Sequence, residues 1–306
     1  MEYNNRKKGG GEKYRPKNDN SPFGSTRRDR FSKNGSGKGY RDSETEKGNY
    51  TSDADTGNGA VIGRNAVREL LRSGRAVDKL LVRRGDREGS IVVLVAEAVE
   101  RGIPVIEVEK GKLDAMSGFA PHQGVVALAA EKEYSTVEDI LRIAEERGEK
   151  PLIVISDGIT DPYNLGALIR CAEGVGAHGI IIPKRRATGL TPLVSKASAG
   201  AIEHMAIAKV SNIASTIELL KKKGVWVYAA EAGGSAYYDT DMSVAAAIVF
   251  GSEGEGVSEL IKKKCDYIVS IPMYGKVNSF NVSTAAAVIL AEASKQQRNK
   301  TTSNSL

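Results

Sequence analysis

Residues 151–183 read PLIVISDGITDPYNLGALIRCAEGVGAHGIIIP, and the fold turns on this stretch. Residues 152–156 are apolar without alternation, residues 165–175 carry helical spacing, and residues 179–183 are again a short apolar run. A strand apolar on both sides must be covered on both faces, so strand, helix, strand in this form implies a parallel sheet between helices. The alternation continues downstream, with strand-like runs at 225–230, 247–251 and 267–272 and helical stretches at 213–223, 258–264 and 282–293. Ligands of such sheets bind beyond the carboxyl ends of the strands, so the loops there are where chemistry should lie.

Working outward, residues 131–150 are strongly charged around a short apolar helix at 137–144 and read as a connection. Before them, residues 61–130 alternate between helices (65–71, 91–101) and strands (77–82, 105–108, 124–129), which makes a small α/β domain. Up to Gly57 the chain is Gly, Ser, Asn, Lys and Arg with almost no aliphatic residues, too little apolar surface to offset chain entropy. The expected organisation is therefore a disordered basic tail (1–57), a small α/β domain (58–131), a linker (132–150), a parallel-sheet domain (151–297) and a disordered C-terminal tail (298–306).

The formal charge of the 306 residues is +6, and its distribution matters more than its total. Residues 1–41 hold 12 Lys and Arg against 4 Asp and Glu, so the basic excess lies in the tail and the remainder is slightly acidic. Tyr14, Phe23, Phe31 and Tyr40 are interleaved with Arg27, Arg28, Arg30 and Lys33, a pattern suited to phosphate contacts with occasional base stacking, or simply to solubility. No apolar run approaches the roughly 18 residues of a membrane span, and no secretory leader is evident, so a cytoplasmic protein is expected. Cys171 and Cys265 lie in apolar-periodic segments, without the spacing of a zinc site or a disulfide framework. His122, His178 and His204 are scattered and read as structural, so no metal is expected.

Three loops carry the remaining signal. In the first, Asp161-Pro162-Tyr163-Asn164 leads into the helix holding Arg170, with Asn164 at a plausible cap position. In the second, Phe250-Gly251-Ser252-Glu253-Gly254-Glu255-Gly256, three glycines allow close backbone approach to a ligand. The Lys-Ser/Thr of a phosphate-binding loop is missing and Glu253 would repel phosphate, which favours a cationic or hydroxyl-bearing ligand. In the third, Ile271-Pro272-Met273 continues to Ser279-Phe280-Asn281 at the mouth of an apolar helix, where capping and function weigh about equally.

Together these loops resemble the SpoU (TrmH-like) family of RNA ribose 2′-O-methyltransferases, of the SPOUT superfamily. Its three motifs stand in order as Asp161-Pro162-Tyr163-Asn164-Leu165-Gly166 with Arg170, Phe250 to Gly256, and Ile271-Pro272-Met273 with Ser279 to Ser283. The family usually has Leu at the position of Phe280. Gly63-Arg64-Asn65-Ala66-Val67 and His122-Gln123-Gly124-Val125-Val126 look like the small RNA-binding domain, of ribosomal protein L30e type, in the bacterial 23S rRNA guanosine 2′-O-methyltransferase branch. The resemblance implies a deep C-terminal trefoil knot, a homodimer with its site near the subunit interface, and S-adenosylmethionine as cofactor. It also implies cofactor contacts at Gly251, Ile271 and Phe280, and a reaction centre of Asn164, Arg170, Glu253, Ser279 and Asn281. A tRNA ribose as substrate, or an RNA-binding protein that has lost transfer, are the alternatives.

Overall fold

The computed structural model describes residues 59–85 and 88–303, so the basic segment 1–57 and residues 304–306 lie outside the described residues. The described residues belong to one compact unit holding two sheets.

The first sheet is built from β1 (Ala60–Ile62), α1 (Arg64–Ser73), β2 (Val77–Arg83), α2 (Ser90–Glu100), β3 (Val105–Val108), α3 (Lys110–Met116) and β4 (Val125–Ala129). Its strand order is β1-β4-β2-β3, with β4 antiparallel to both neighbours and β2 parallel to β3. Val67, Leu70 and Leu71 of α1 and Ile91, Leu94 and Ala98 of α2 fall at helical spacing and are buried against Val61, Leu80 and Val125. β1 and α3 were not expected: one has three residues, and in the other only Leu113 is buried, so neither carries a readable period. The two sequence motifs of this region meet in space, because Gln123 Oε1 accepts from Arg64 N at 3.0 Å and Gln123 O accepts from Arg64 Nε at 3.0 Å.

The second sheet follows α4 (Val137–Glu146) and comprises β5 (Leu152–Asp157), α5 (Pro162–Gly174), β6 (Gly179–Pro183), α6 (Pro192–Ala197), β7 (Ile207–Val210), α7 (Ile213–Lys222), β8 (Trp226–Ala236), β9 (Ala246–Gly251), α8 (Glu259–Lys264), β10 (Tyr267–Ser270) and α9 (Val282–Ser303). The strand order is β10-β8-β9-β5-β6-β7, and every neighbouring pair is parallel, as the apolar runs predict. Leu152 and Val154 face one core with Leu165, Ile169 and Leu290, while Ile153 and Ile155 face the other with Ile140, Ile217 and Ile261. Both faces of β5 are thus dry, and each fully buried Leu or Ile contributes roughly 1.5–3 kcal/mol.

The short helix expected within the charged connection is α4: Thr136 and Asp139 form a capping box on it, and Ile140 packs so closely on Gly179 that a Cβ there would meet its Cγ1 at 2.5 Å. Several expectations change. α9 runs to Ser303, so residues 298–303 are helical rather than a disordered tail; their polar sequence hides this, although Arg298 Nε bonds Ser294 Oγ at 3.1 Å one turn back. α6 and β7, six and four residues long, were also not read from the sequence. Each histidine has a carboxylate partner that sequence spacing does not reveal: His122 with Asp114, His178 with Glu149 and His204 with Glu69. Both cysteines are free and half-buried, and among the described residues no helix is long and apolar enough to cross a membrane.

Candidate active site

Because the second sheet is wholly parallel, the loops after β5, β9 and β10 emerge along one edge. Each is shaped by its own sequence. After β5, Asp161 caps α5 by accepting from Asn164 N at 3.0 Å, with Pro162 in the first turn. The cap is therefore Asp161 and not Asn164, which frees the Asn164 side chain for another use.

After β9 the glycine loop folds tightly, with Gly254 and Gly256 at φ +89° and +67° and Gly256 N bonded to Ser252 O at 3.0 Å. A Cβ on Gly251 would come within 2.0 Å of the Gly256 backbone, so the loop crosses over its own start. Two carboxylates from neighbouring elements pin it. Asp157 Oδ2 accepts from Ser258 N at 2.9 Å, and Glu231 Oε2, from the part of β8 between β9 and β10, accepts from Val257 N at 2.8 Å. Glu231 was not anticipated, since a polar residue following an apolar strand has no distinctive spacing.

After β10, Asn281 closes the loop and starts α9. Its Oδ1 accepts from Ser283 N at 2.9 Å and from Ser283 Oγ at 2.6 Å, which is an N-cap. Its Nδ2 donates to Asn164 Oδ1 at 3.1 Å and to Glu253 Oε1. One amide thus fulfils the capping role and also joins all three loops.

The loops after β9 and β10, together with β8 and the start of α9, enclose a cavity of about 540 Å³, within the usual range of small-molecule sites. Gly251, Glu253, Ile271, Ser279, Phe280 and Asn281 all line it, and Asn164, 9% exposed, sits behind Asn281. Phe250, Val269 and Ile289 supply apolar wall, Glu231 and Glu253 supply charge, and no lining residue is Lys, Arg or His. Such a cavity disfavours a phosphate-bearing ligand and accommodates one that is part apolar and part cationic. Arg170 does not line the cavity. It stands six residues beyond Asn164, which turns it roughly 120° around the helix, and its side chain faces solvent. Among the described residues no group of three or more His, Cys, Asp or Glu is arranged to hold a metal.

Residues 151–291 match the family model described as the SpoU rRNA Methylase family, and residues 60–135 match the one described as RNA 2′-O ribose methyltransferase substrate binding. A relative from Bacillus subtilis (strain 168), whose assigned name places it in the TrmH family of tRNA/rRNA methyltransferases, is 44% identical over 238 residues, covering 78% of this chain and 95% of the relative. A similarly named Staphylococcus aureus (strain MSSA476) protein is 42% identical over 240 residues, 78% of this chain and 96% of that protein. Among solved structures, the SpoU methyltransferase AviRb from Streptomyces viridochromogenes in complex with the cofactor AdoMet aligns with a TM-score of 0.66 at 25% identity, covering 78% of this chain and 90% of that one. An AdoMet-bound rRNA methyltransferase from Sinorhizobium meliloti aligns with a TM-score of 0.63 at 26% identity, covering 77% and 86%.

Proposed function

The chain belongs to the SpoU rRNA methylase family, and on that premise we propose that it is an S-adenosylmethionine-dependent RNA methyltransferase that acts on a ribose 2′-hydroxyl, most specifically of a guanosine in 23S rRNA. The observation that carries this reading is the hydrogen-bonded chain Asn164, Asn281, Glu253 at the mouth of a cavity without basic residues. S-adenosylmethionine, when bound, supplies an electrophilic methyl group on a sulfonium. The lining fits it: Phe250, Ile271 and Phe280 offer apolar surface, Gly251, Gly254 and Gly256 add backbone without side chains, and the carboxylates of Glu231 and Glu253 tolerate positive charge.

The residues of the chain then have separate tasks. Asn164 orients the ribose hydroxyl, with Ser279 as a further polar contact, while Asn281, whose amide is fully engaged by Asn164, Glu253 and Ser283, fixes Asn164 and is itself held by Glu253. Positioning of this kind can supply much of the rate of a transfer between two bound groups. A guanidinium is a donor only, so Arg170 is not assigned the role of base. Its exposed guanidinium suits a clamp on the RNA phosphate, where preorganised charge also favours the developing alkoxide. In a homodimer with the site at the subunit interface, the arginine of a second copy can serve the same cavity.

Within this reading, residues 58–131 form an RNA-binding domain of L30e type, 132–150 the connection, and 151–297 the transfer domain, while the basic segment 1–57 adds affinity for RNA in the cytoplasm. The C-terminal segment forms a trefoil knot. That proposal is supported by the path of the chain, which passes from β9 across β8 to β10 and returns as α9 against α5.

The test maps 2′-O-methyl groups in ribosomal and transfer RNA from cells with and without the protein, alongside calorimetry with S-adenosylmethionine. The expected result is one missing methyl group in 23S rRNA in the deletion strain. Asn164→Ala and Arg170→Ala should each abolish transfer and leave cofactor binding nearly intact. A missing methyl in tRNA would redirect the substrate, no cofactor binding would favour a non-catalytic scaffold, and full activity of Arg170→Ala would overturn its role.

A further inference from the structure

Between the two sheets lies a second cleft of about 540 Å³, lined by Ile62, Met116 and Phe119 from the small domain and by Tyr163, Pro192 and Leu193 from the large one. Two aromatic side chains in it are exposed without an evident structural reason. Phe119 is 82% exposed and held at φ +59°, a region that side-chain-bearing residues avoid, and Tyr163 is 55% exposed. Neither stacks on another aromatic ring among the described residues. Tyr163 is the chain neighbour of Asn164, so one wall of the cleft stands one residue along α5 from the residue assigned to the ribose.

On the far side of the ridge formed by Phe119, Ala120 and Pro121 is a second pocket, to which Arg64, Arg83 and Lys110 contribute. Arg64, Arg83 and Lys110 outnumber its one carboxylate, Asp114, which also lies 3.0 Å from His122 Nε2, so the lining is basic in character. An apolar slot with an aromatic ring at each side, reached across a basic rim, matches a strand whose phosphates meet the rim and whose base turns into the slot. A protein side chain of the same apolar character would gain nothing from the basic rim.

We propose that Phe119 and Tyr163 form a stacking site for one unpaired nucleobase of the RNA substrate, which sets which nucleotide reaches Asn164. A residue strained into an exposed position is consistent with selection for contact rather than for stability. The inference rests on the RNA methyltransferase reading above, and it locates specificity at the seam between the domains rather than in the cofactor cavity. Single-stranded segments are the natural target, because a base can enter the slot only after leaving its stack.

The test uses tritium-labelled S-adenosylmethionine with total ribosomal and transfer RNA from cells lacking the protein as acceptors. It compares wild type with Phe119→Ala, Phe119→Gly, Phe119→Trp and Tyr163→Ala. Loss of one stacking contact should raise KM for RNA by roughly 5- to 150-fold in the alanine and glycine variants. Cofactor affinity by calorimetry should not move, and Phe119→Trp should restore KM. Phe119→Gly should melt no lower than wild type, since glycine accepts the backbone angle without penalty. Unchanged KM in both Phe119→Ala and Tyr163→Ala overturns the proposal, and so does a KM increase that tracks loss of melting temperature. If wild type methylates no RNA at all, the parent reading falls and takes this one with it, an outcome distinct from an active enzyme indifferent to Phe119.

Discussion

Asn281 offers a substitution that separates structure from chemistry within one side chain. Its Oδ1 caps α9 through Ser283 N and Ser283 Oγ, and its Nδ2 joins Asn164 and Glu253. Exchanging the two amide atoms would set donor against donor at Ser283 and acceptor against carboxylate at Glu253, so the network itself assigns the orientation. Serine caps a helix about as well as asparagine, whereas alanine gives up roughly 1 kcal/mol. Both variants lose the Nδ2 bonds to Asn164 and Glu253, so the cap shows as the difference between them, with Asn281→Ala melting about 2–4 °C below Asn281→Ser for a domain of this size. Neither variant can reach Asn164. Each lost neutral hydrogen bond is worth about 0.5–1.5 kcal/mol, and because Asn281 and Glu253 are exposed their bond belongs in the same range rather than the higher one for buried charges. A loss of roughly 1.4–2.8 kcal/mol in the transition state corresponds to about 10- to 100-fold in rate, expected equally for both variants. Thermal melts and single-turnover methyl transfer measure the two effects separately. If Asn281→Ser melts as low as Asn281→Ala, the cap has been misassigned. If Asn281→Ser transfers methyl at the wild-type rate, the amide chain to Asn164 has no part in the reaction.

Three further outcomes follow from packing and titration. In Gly166→Ala the new Cβ would lie 2.4 Å from Ala197 Cβ and 2.8 Å from Val194 O, so α5 and α6 must separate, at a cost of roughly 1–3 kcal/mol read from denaturant unfolding; a wild-type midpoint would contradict the close contact. In Gly256→Ala the Cβ lands 2.3 Å from Glu231 Oε2 at a backbone angle of φ +67°, so the glycine loop must shift, and calorimetry should show S-adenosylmethionine binding weakened by about tenfold or more. Unaltered affinity would mean that the loop is not part of the cofactor site. Burial holds the His178 pKa below its ordinary value despite Glu149, and its neutral Nδ1 accepts from Leu152 N at 3.0 Å, a bond that protonation breaks. Between the depressed folded value and the ordinary one near 6.5, the unfolded chain binds the extra proton, so stability falls as the pH drops through this window and the loss is complete below the folded pKa. Melting temperatures of wild type and His178→Gln at pH 7.5 and 5.5 check this, with a smaller acid-induced drop expected in the variant; equal drops would refute it.

How much was legible beforehand differs by the range of the interaction. Five of the six strands of the parallel sheet, most of the helices between them and the three loops that bear Asn164, Gly251 and Ser279 follow from local patterning, because burial on both faces leaves an uninterrupted apolar run and turn chemistry is written in adjacent residues. Short elements were legible unevenly: β3, β10 and α8 were read, whereas β1, β7, α3 and α6, of three to seven residues, were not. Asn164 could be placed near the helix start by sequence, but whether it or Asp161 capped α5 depended on backbone geometry.

The chain order alone therefore determined a covered parallel sheet and which loops bear polar groups near its edge. Only the tertiary structure decided that β8 brings Glu231 beneath the glycine loop, that Asn281 bridges Asn164 and Glu253, and that Arg170 faces solvent instead of the cavity. The partners of Asn281 lie 117 and 28 residues away, and those of the three histidines 8, 29 and 135 residues away. Periodicity reports which side of its own element a residue occupies. Which groups meet across elements is set by strand order and helix phase, quantities that no short window of sequence contains.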